Sequence, residues 1–169
     1  MTFVYLDTET TGLDPDRHEI WELAYAVDNG RIESGVMFHS LRHADPKALA
    51  MNGYWERCGG SPEAWAELEG GVRFALDGAT IVAANPAFDA AFLRARWGVT
   101  PWRYRMLDVE AYAMGALGWD EPRGLKDIRT ELTMLGHDIP EPDHTASGDV
   151  ATLRACHYAL AGIYGRPLA

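Results

Sequence analysis

Phe3-Val-Tyr-Leu-Asp7-Thr-Glu9-Thr-Thr-Gly-Leu13 is the stretch that decides the fold class. Phe3 to Leu6 is a short run of strand formers, apolar on both faces, which suits a central strand. Asp7 and Glu9 stand where that strand is expected to end. At strand spacing, residues i and i+2 point to the same side, so two like charges are set next to each other. Partial burial would strip their hydration and sharpen the repulsion, so something positive is expected between them. Hard divalent cations, Mg²⁺ or Mn²⁺, prefer such oxygen ligands. Taken alone, the pair reads more plainly as a solvated loop of acids and turn-forming threonines.

Working outward, Trp21, Leu23, Tyr25 and Val27 alternate with Glu22, Ala24, Ala26 and Asp28, the period of a strand with one buried face. Asn29-Gly30 follows, the pair favoured by a type I′ hairpin turn, in which both central residues take positive φ. Ile32 to Phe38 is expected to return as a third strand, making the first part of the chain a β-meander. The period then changes. Ser61-Pro62 reads as an N-cap with proline at the first helical position. Trp65, Leu68, Val72 and Leu76 recur at helical spacing, although Gly70-Gly71 costs about 1 kcal/mol per glycine relative to alanine. Thr80-Ile-Val-Ala-Ala84 reads as a buried strand. Asn85-Pro86 is expected to cap the next helix, which carries Phe88, Phe92 and Leu93. Arg105-Met-Leu107 suggests a last short strand, followed by helical stretches near 108–117 and 125–136. Val150, Leu153, His157, Leu160 and Tyr164 form one stripe of a final helix, where His157 reads as a packed core histidine. Three strands followed by alternating helix and strand predict an α/β fold with a mixed sheet flanked by helices.

The chain has 169 residues, 47% of them apolar and 24% charged, which is ordinary globular composition. No repeat, low-complexity run or linker is visible, so residues 1–169 read as one domain. A chain of this length typically buries roughly 68–70% of its unfolded surface and needs no disulfide or metal staple. The two cysteines, Cys58 and Cys156, lie far apart and read as reduced thiols, consistent with a cytoplasmic protein. The opening residues lack a positively charged segment, and their apolar run stops at Asp7, unlike a signal peptide. No apolar run is long enough to span a membrane. The net charge of −10 argues against a protein that coats duplex nucleic acid with a basic face, but not against one that grips a strand end. Arg94–Arg129 is locally basic, with seven Lys/Arg against five Asp/Glu, and contains Trp97, Trp102, Tyr104 and Trp119. Surface arginines over core aromatics are the plainer reading of that segment; a path for a single strand is the alternative.

Two further elements join the acidic pair. Asp89 lies near the N-terminus of a helix that follows a buried strand, where the helix dipole favours a carboxylate and where α/β sheets bind ligands. His144 and Asp149 are five residues apart. On a regular helix that spacing turns the two side chains about 140° out of alignment, so His144 must precede the helix if the two share a site. Pro140, Pro142 and the polar run to Ser147 support that placement. His18, His39, His43 and His137 show no usable pattern.

Together, Phe3–Leu13, Asn85-Pro-Ala-Phe-Asp89 and His144-x-Ala146-x-x-Asp149 resemble the three exonuclease motifs of the DnaQ-like family. That family is the histidine-containing branch of the DEDD 3′→5′ exonucleases. Asp45-Pro-Lys-Ala-Leu-Ala-Met-Asn-Gly53 is also similar to its segment between meander and first helix. The resemblance spans residues 3 to about 155, without departure at a catalytic position. It implies an RNase H-like fold with a five-stranded mixed sheet. It implies that Asp7, Glu9, Asp89, His144 and Asp149 are catalytic and that the four carboxylates hold two Mg²⁺, with Mn²⁺ able to substitute. Four negative charges against two divalent ions make a neutral site. By the same resemblance, Asp7 bridges the metals, Glu9 and Asp149 complete one site, Asp89 binds directly or through water, and His144 is the general base. An ordinary histidine pKa of about 6.5 suits that task. Thr10, Leu13, Asn85 and Phe88 are the expected substrate contacts, although Phe88 reads as well as a core residue. The expected substrate is the 3′ end of single-stranded DNA, favoured over RNA, with nucleoside 5′-monophosphates released. A DNA polymerase or replication protein is the candidate partner. The competing readings are an exoribonuclease and a non-catalytic binding module on the same fold.

Overall fold

β1 (Phe3–Thr10) runs straight through both carboxylates instead of stopping before them. Pairing explains the extra length. β2 (Ile20–Val27) lies antiparallel to β1 from Val4↔Val27 to Thr10↔Ile20, so ladder hydrogen bonds carry the strand past its apolar half. The computed structural model describes residues 2–60 and 62–163, and the expected cap Ser61 and stripe residue Tyr164 lie outside them. β3 (Glu33–Val36) completes the meander and is shorter than the expected 32–38 run. β4 (Thr80–Ala83) and β5 (Leu107–Asp108) add in parallel on the other side. The sheet order is β3-β2-β1-β4-β5, the expected mixed five-stranded sheet with β1 in the centre.

Two local expectations are corrected. β2 does not alternate: Ala24 and Ala26 are as buried as Trp21 and Leu23, while Tyr25 and Val27 are half-buried, because a strand this close to the sheet centre is covered on both faces. The connection after it is not a type I′ turn. Positive φ falls on Asp28 (46°) and not on Asn29 or Gly30. Asp28 is held there by Phe3, whose N–H donates to its Oδ1 (2.9 Å) and whose carbonyl accepts its N–H (2.9 Å). Tertiary hydrogen bonds override the local preference of the Asn-Gly pair.

Helices cover the sheet. α1 (Pro46–Met51) and α2 (Tyr54–Arg57) are short turns within the 45–58 connection, with Asp45 capping α1 by accepting from Lys47 N. α3 (Pro62–Leu76) buries Val72 and Leu76. The Gly70-Gly71 pair inside it has a use: a Cβ at Gly71 would stand 2.6 Å from the Tyr25 hydroxyl. α4 (Pro86–Trp97) follows β4, and α5 (Val109–Leu117) and α6 (Leu125–Met134) follow β5. Asn85 occupies the α4 cap position, but in the left-handed region (φ 55°) and without a side-chain cap bond, so it is not the cap expected. α7 (Ala146–Ile163) packs Val150, Leu153, Cys156 and Leu160 into the main core.

His157 is a core histidine, as expected, 2% exposed. The Tyr5 hydroxyl lies 2.8 Å from its Nδ1, and Phe3 and Tyr112 meet the ring edge-on. Trp97, Trp102 and Trp119 pack into the core or against it, with Arg73 over Trp97 and Arg123 over Trp119. That is the plainer reading of the basic segment; only Tyr104 in this set is largely exposed. Cys58 and Cys156 are free. Among the described residues, no helix is long and apolar enough to cross a membrane.

Candidate active site

The site begins where β1 outruns its parallel neighbour. β4 pairs only with Phe3–Tyr5, so the Asp7–Thr10 half of β1 has a strand partner on one side only. The chain leaving β4 turns at Asn85 into α4, and its first turn carries Asp89 against Thr8 in that half. This is the carboxyl end of parallel strands, where sheets of this kind place ligands. A bulge between Glu9 and Thr10 ends the regular pairing next to the acids.

Asp7, Glu9 and Asp149 converge, with one carboxylate oxygen from each within 4.8 Å of the others. The i, i+2 spacing of Asp7 and Glu9 supplies two of these. The first turn of α7 supplies the third, at a helix end whose dipole favours a carboxylate. Asp89 is 3% exposed and accepts a hydrogen bond from Thr8 Oγ1 (2.7 Å). It stands beside this trio, close enough to push up the pKa of Asp7. His144 sits in the loop before α7, as its five-residue separation from Asp149 required, and stands close enough to act on that carboxyl. All five residues singled out by sequence therefore gather at one place.

The expected substrate contacts divide. Leu13 is 78% exposed, and Asn85 is exposed in its turn. Thr10 is buried, its hydroxyl donating to Gly12 O (2.6 Å). Phe88 is half-buried against Phe92, with ring centroids 4.9 Å apart.

No protein-family model matches the chain. It is 33% identical over 176 aligned residues, 99% of its length, to a DNA polymerase III subunit epsilon-like protein of Rhodobacter capsulatus. The chain spans about a quarter of that relative's length. Among solved structures, it resembles a zinc-bound complex of Escherichia coli exonuclease I with single-stranded DNA, with TM-score 0.70 and 20% identity. That match covers 98% of this chain and 41% of the other. It also resembles Brucella melitensis NrnC, with TM-score 0.58 and 18% identity over 97% of this chain and 75% of that one. The chain thus has the fold of these exonuclease structures.

Within this site the electrostatics are unfavourable to the protein alone. Burial, then Asp89, Asp149, Glu9 and Glu22, hold the Asp7 carboxyl well above the ordinary range. Glu9 is pushed up to about 8 by burial, then by Glu22 and Asp149, against the lowering pull of Arg57. Asp89 is pushed up to about 7 by burial. Asp149 is raised by burial as well. Clustered carboxylates with raised pKa values are the donor set that hard divalent cations relieve, so the residues present fit such ions. The sign of the pH effect follows. These groups bind protons more tightly folded than unfolded, so their ionisation destabilises the native state as pH rises from about 4 to about 8. In EDTA the thermal midpoint is expected to fall across that window, and saturating Mn²⁺ is expected to restore much of the loss at pH 8 by binding only the folded form. A midpoint in EDTA that rises between pH 5 and pH 8 would contradict the buried repulsion.

Several residues at the site were not found from sequence. Glu22 faces Glu9 across the β1–β2 ladder. It was visible only as one of the polar positions of β2, and the register needed to place it comes from the fold. Arg57 Nη1 donates to Glu22 Oε2 at 2.5 Å, and Asn52 Nδ2 donates to Thr10 O at 3.0 Å. Arg57 lies in no quoted motif, and Asn52 lies in the Asp45–Gly53 stretch, whose resemblance singled out no site residue. Asp143 Oδ1 accepts from Thr145 N (3.0 Å) and Oγ1 (2.7 Å), and a Cβ at Gly148 would fall 2.0 Å from that oxygen. Gly148 therefore clears the space in which the His144 loop is tied.

Proposed function

We propose that the chain is a metal-dependent 3′→5′ exonuclease that releases nucleoside 5′-monophosphates from the 3′ ends of single-stranded nucleic acid, DNA favoured. The observation that carries this reading is the convergence of Asp7, Glu9 and Asp149 within 4.8 Å, beside buried Asp89 and the His144 loop. The epsilon-like relative and the DNA-bound exonuclease I structures support it. Complete acidic and histidine positions argue against a non-catalytic module, which need not retain all five. The relative's name also supports a DNA polymerase as partner.

In this reading Asp7, Glu9, Asp89 and Asp149 would hold two divalent ions, Mg²⁺ or Mn²⁺. The bound ions would supply Lewis acidity, lowering the pKa of water and neutralising charge on both the attacking and leaving oxygens of the phosphodiester. His144 takes the proton of the attacking water on an imidazole nitrogen. The bond to the 3′ oxygen breaks, and the terminal nucleotide leaves with its 5′ phosphate. Leu13, exposed at the mouth of the site, offers an apolar surface to the last base.

5′-labelled single-stranded DNA and RNA, each incubated with Mg²⁺ and with EDTA, test this directly. Stepwise shortening that EDTA abolishes is expected, faster on DNA. Intact strands of both kinds with Mg²⁺ present would overturn the reading; RNA cut faster than DNA would reassign the sugar preference. With a net charge of −10, few phosphates can be neutralised. The log–log salt slope of binding is therefore expected to be far shallower than the roughly −7 of a ten-phosphate single-strand contact, as a salt titration would show.

A further inference from the structure

We propose that Arg57, paired with Glu22, is a positioning residue that holds the loop bearing His144 in its catalytic shape. His144 has φ 59°, in the left-handed region that a histidine seldom adopts. Such a conformation persists only where the surroundings over-determine it. Here one ion pair holds the residue's own carbonyl and the chain two residues on. Arg57 Nη2 donates to the His144 carbonyl at 2.9 Å, and Ala146 N–H donates to Glu22 Oε2 at 3.3 Å. The guanidinium is itself fixed on every side. Nη1 meets Glu22, Nη2 also donates to the Asn52 carbonyl, and the group lies 4.9 Å over the Trp21 ring. Arg57 and Glu22 are only 24% and 14% exposed, so the pair is not a loose surface contact. A planar fork can serve a carboxylate and two carbonyls at once; a lysine ammonium on its flexible stem lacks that geometry. Without the fork the loop keeps its ties through Asp143 and Thr145 but loses the one on the His144 carbonyl, and the imidazole is free to leave the site.

The kinetic consequence rests on the exonuclease reading above, and a double-mutant cycle on His144 separates the two claims. Wild type, Arg57→Ala, His144→Ala and the double variant are assayed on 5′-labelled single-stranded DNA at saturating Mn²⁺. Arg57→Ala is expected to lower kcat about 30-fold with KM nearly unchanged, as a misplaced catalytic group does. In the His144→Ala background the same change is expected to cost less than about threefold, because the effect runs through His144. Arg57→Lys is expected to stay close to Arg57→Ala. An equal fall in both backgrounds, or a wild-type rate from Arg57→Lys, would overturn the proposal. Should Arg57→Ala fail to fold, Arg57→Lys replaces it in the cycle. If the wild type cleaves nothing, the exonuclease reading fails on its own. The loop is then read from the ¹H–¹³C signal of the His144 ring. One sharp signal that splits or broadens in Arg57→Lys supports the hold, and an unchanged signal refutes it.

Discussion

Asp7→Asn is expected to lower turnover by at least about 10³-fold, since metal ions contribute several kcal/mol of transition-state stabilisation. It is also expected to make the metal-free protein more stable. The two effects have one cause. Asp7 is the carboxylate on which burial and four neighbouring acids act together. Removing its charge relieves that repulsion at almost constant shape, and takes an anionic donor out of the trio. At this chain length each kcal/mol relieved raises the thermal midpoint by roughly 2–4 °C. Calorimetry in EDTA, Mn²⁺ titration and the nuclease assay read the three consequences separately: higher midpoint, weaker Mn²⁺ binding, no cleavage. Retained cleavage would remove Asp7 from the catalytic set.

His144→Ala should separate catalysis from metal binding. Loss of a positioned general base typically costs 10²–10⁴ in rate, so kcat is expected to fall by about that range. Affinity for Mn²⁺ should change little, because the trio within 4.8 Å does not include His144. On the proposed mechanism the proton acceptor comes from the loop and the metal donors from β1 and α7. If kcat and Mn²⁺ affinity drop together, His144 supports the architecture of the acidic cluster and is not the base.

The parts of this site that were legible in the sequence are those whose spacing carries geometry. Asp7 and Glu9 share a face because strand periodicity makes them do so, and the five-residue gap from His144 to Asp149 forces the histidine off the helix. Asp89 was legible from the strand–Asn-Pro–helix pattern around it. What could not be read depends on partners distant in sequence. β1 is extended by pairing with β2, so its end could not be found from Phe3–Leu6 alone. The Asn29-Gly30 turn yielded to the contacts between Asp28 and Phe3. Arg57 and Glu22 are 35 residues apart and meet the His144 loop through contacts that no local pattern encodes.

Tyr5, Asp7 and Glu9 occupy alternate positions of one strand, and α7 answers them at both ends, with Asp149 at the acids and His157 at the tyrosine. The buried Tyr5–His157 contact therefore works as a peg in a sliding rule. A helix can shift along a sheet most readily by one turn, about 5.4 Å. That slip would exceed the span of the whole acidic trio and would strand Tyr5 and His157 without their 2.8 Å partners in the dry interior. Longitudinal alignment of α7, and with it the placement of its carboxylate, is thus fixed from the far end of the helix, eight residues away from the chemistry.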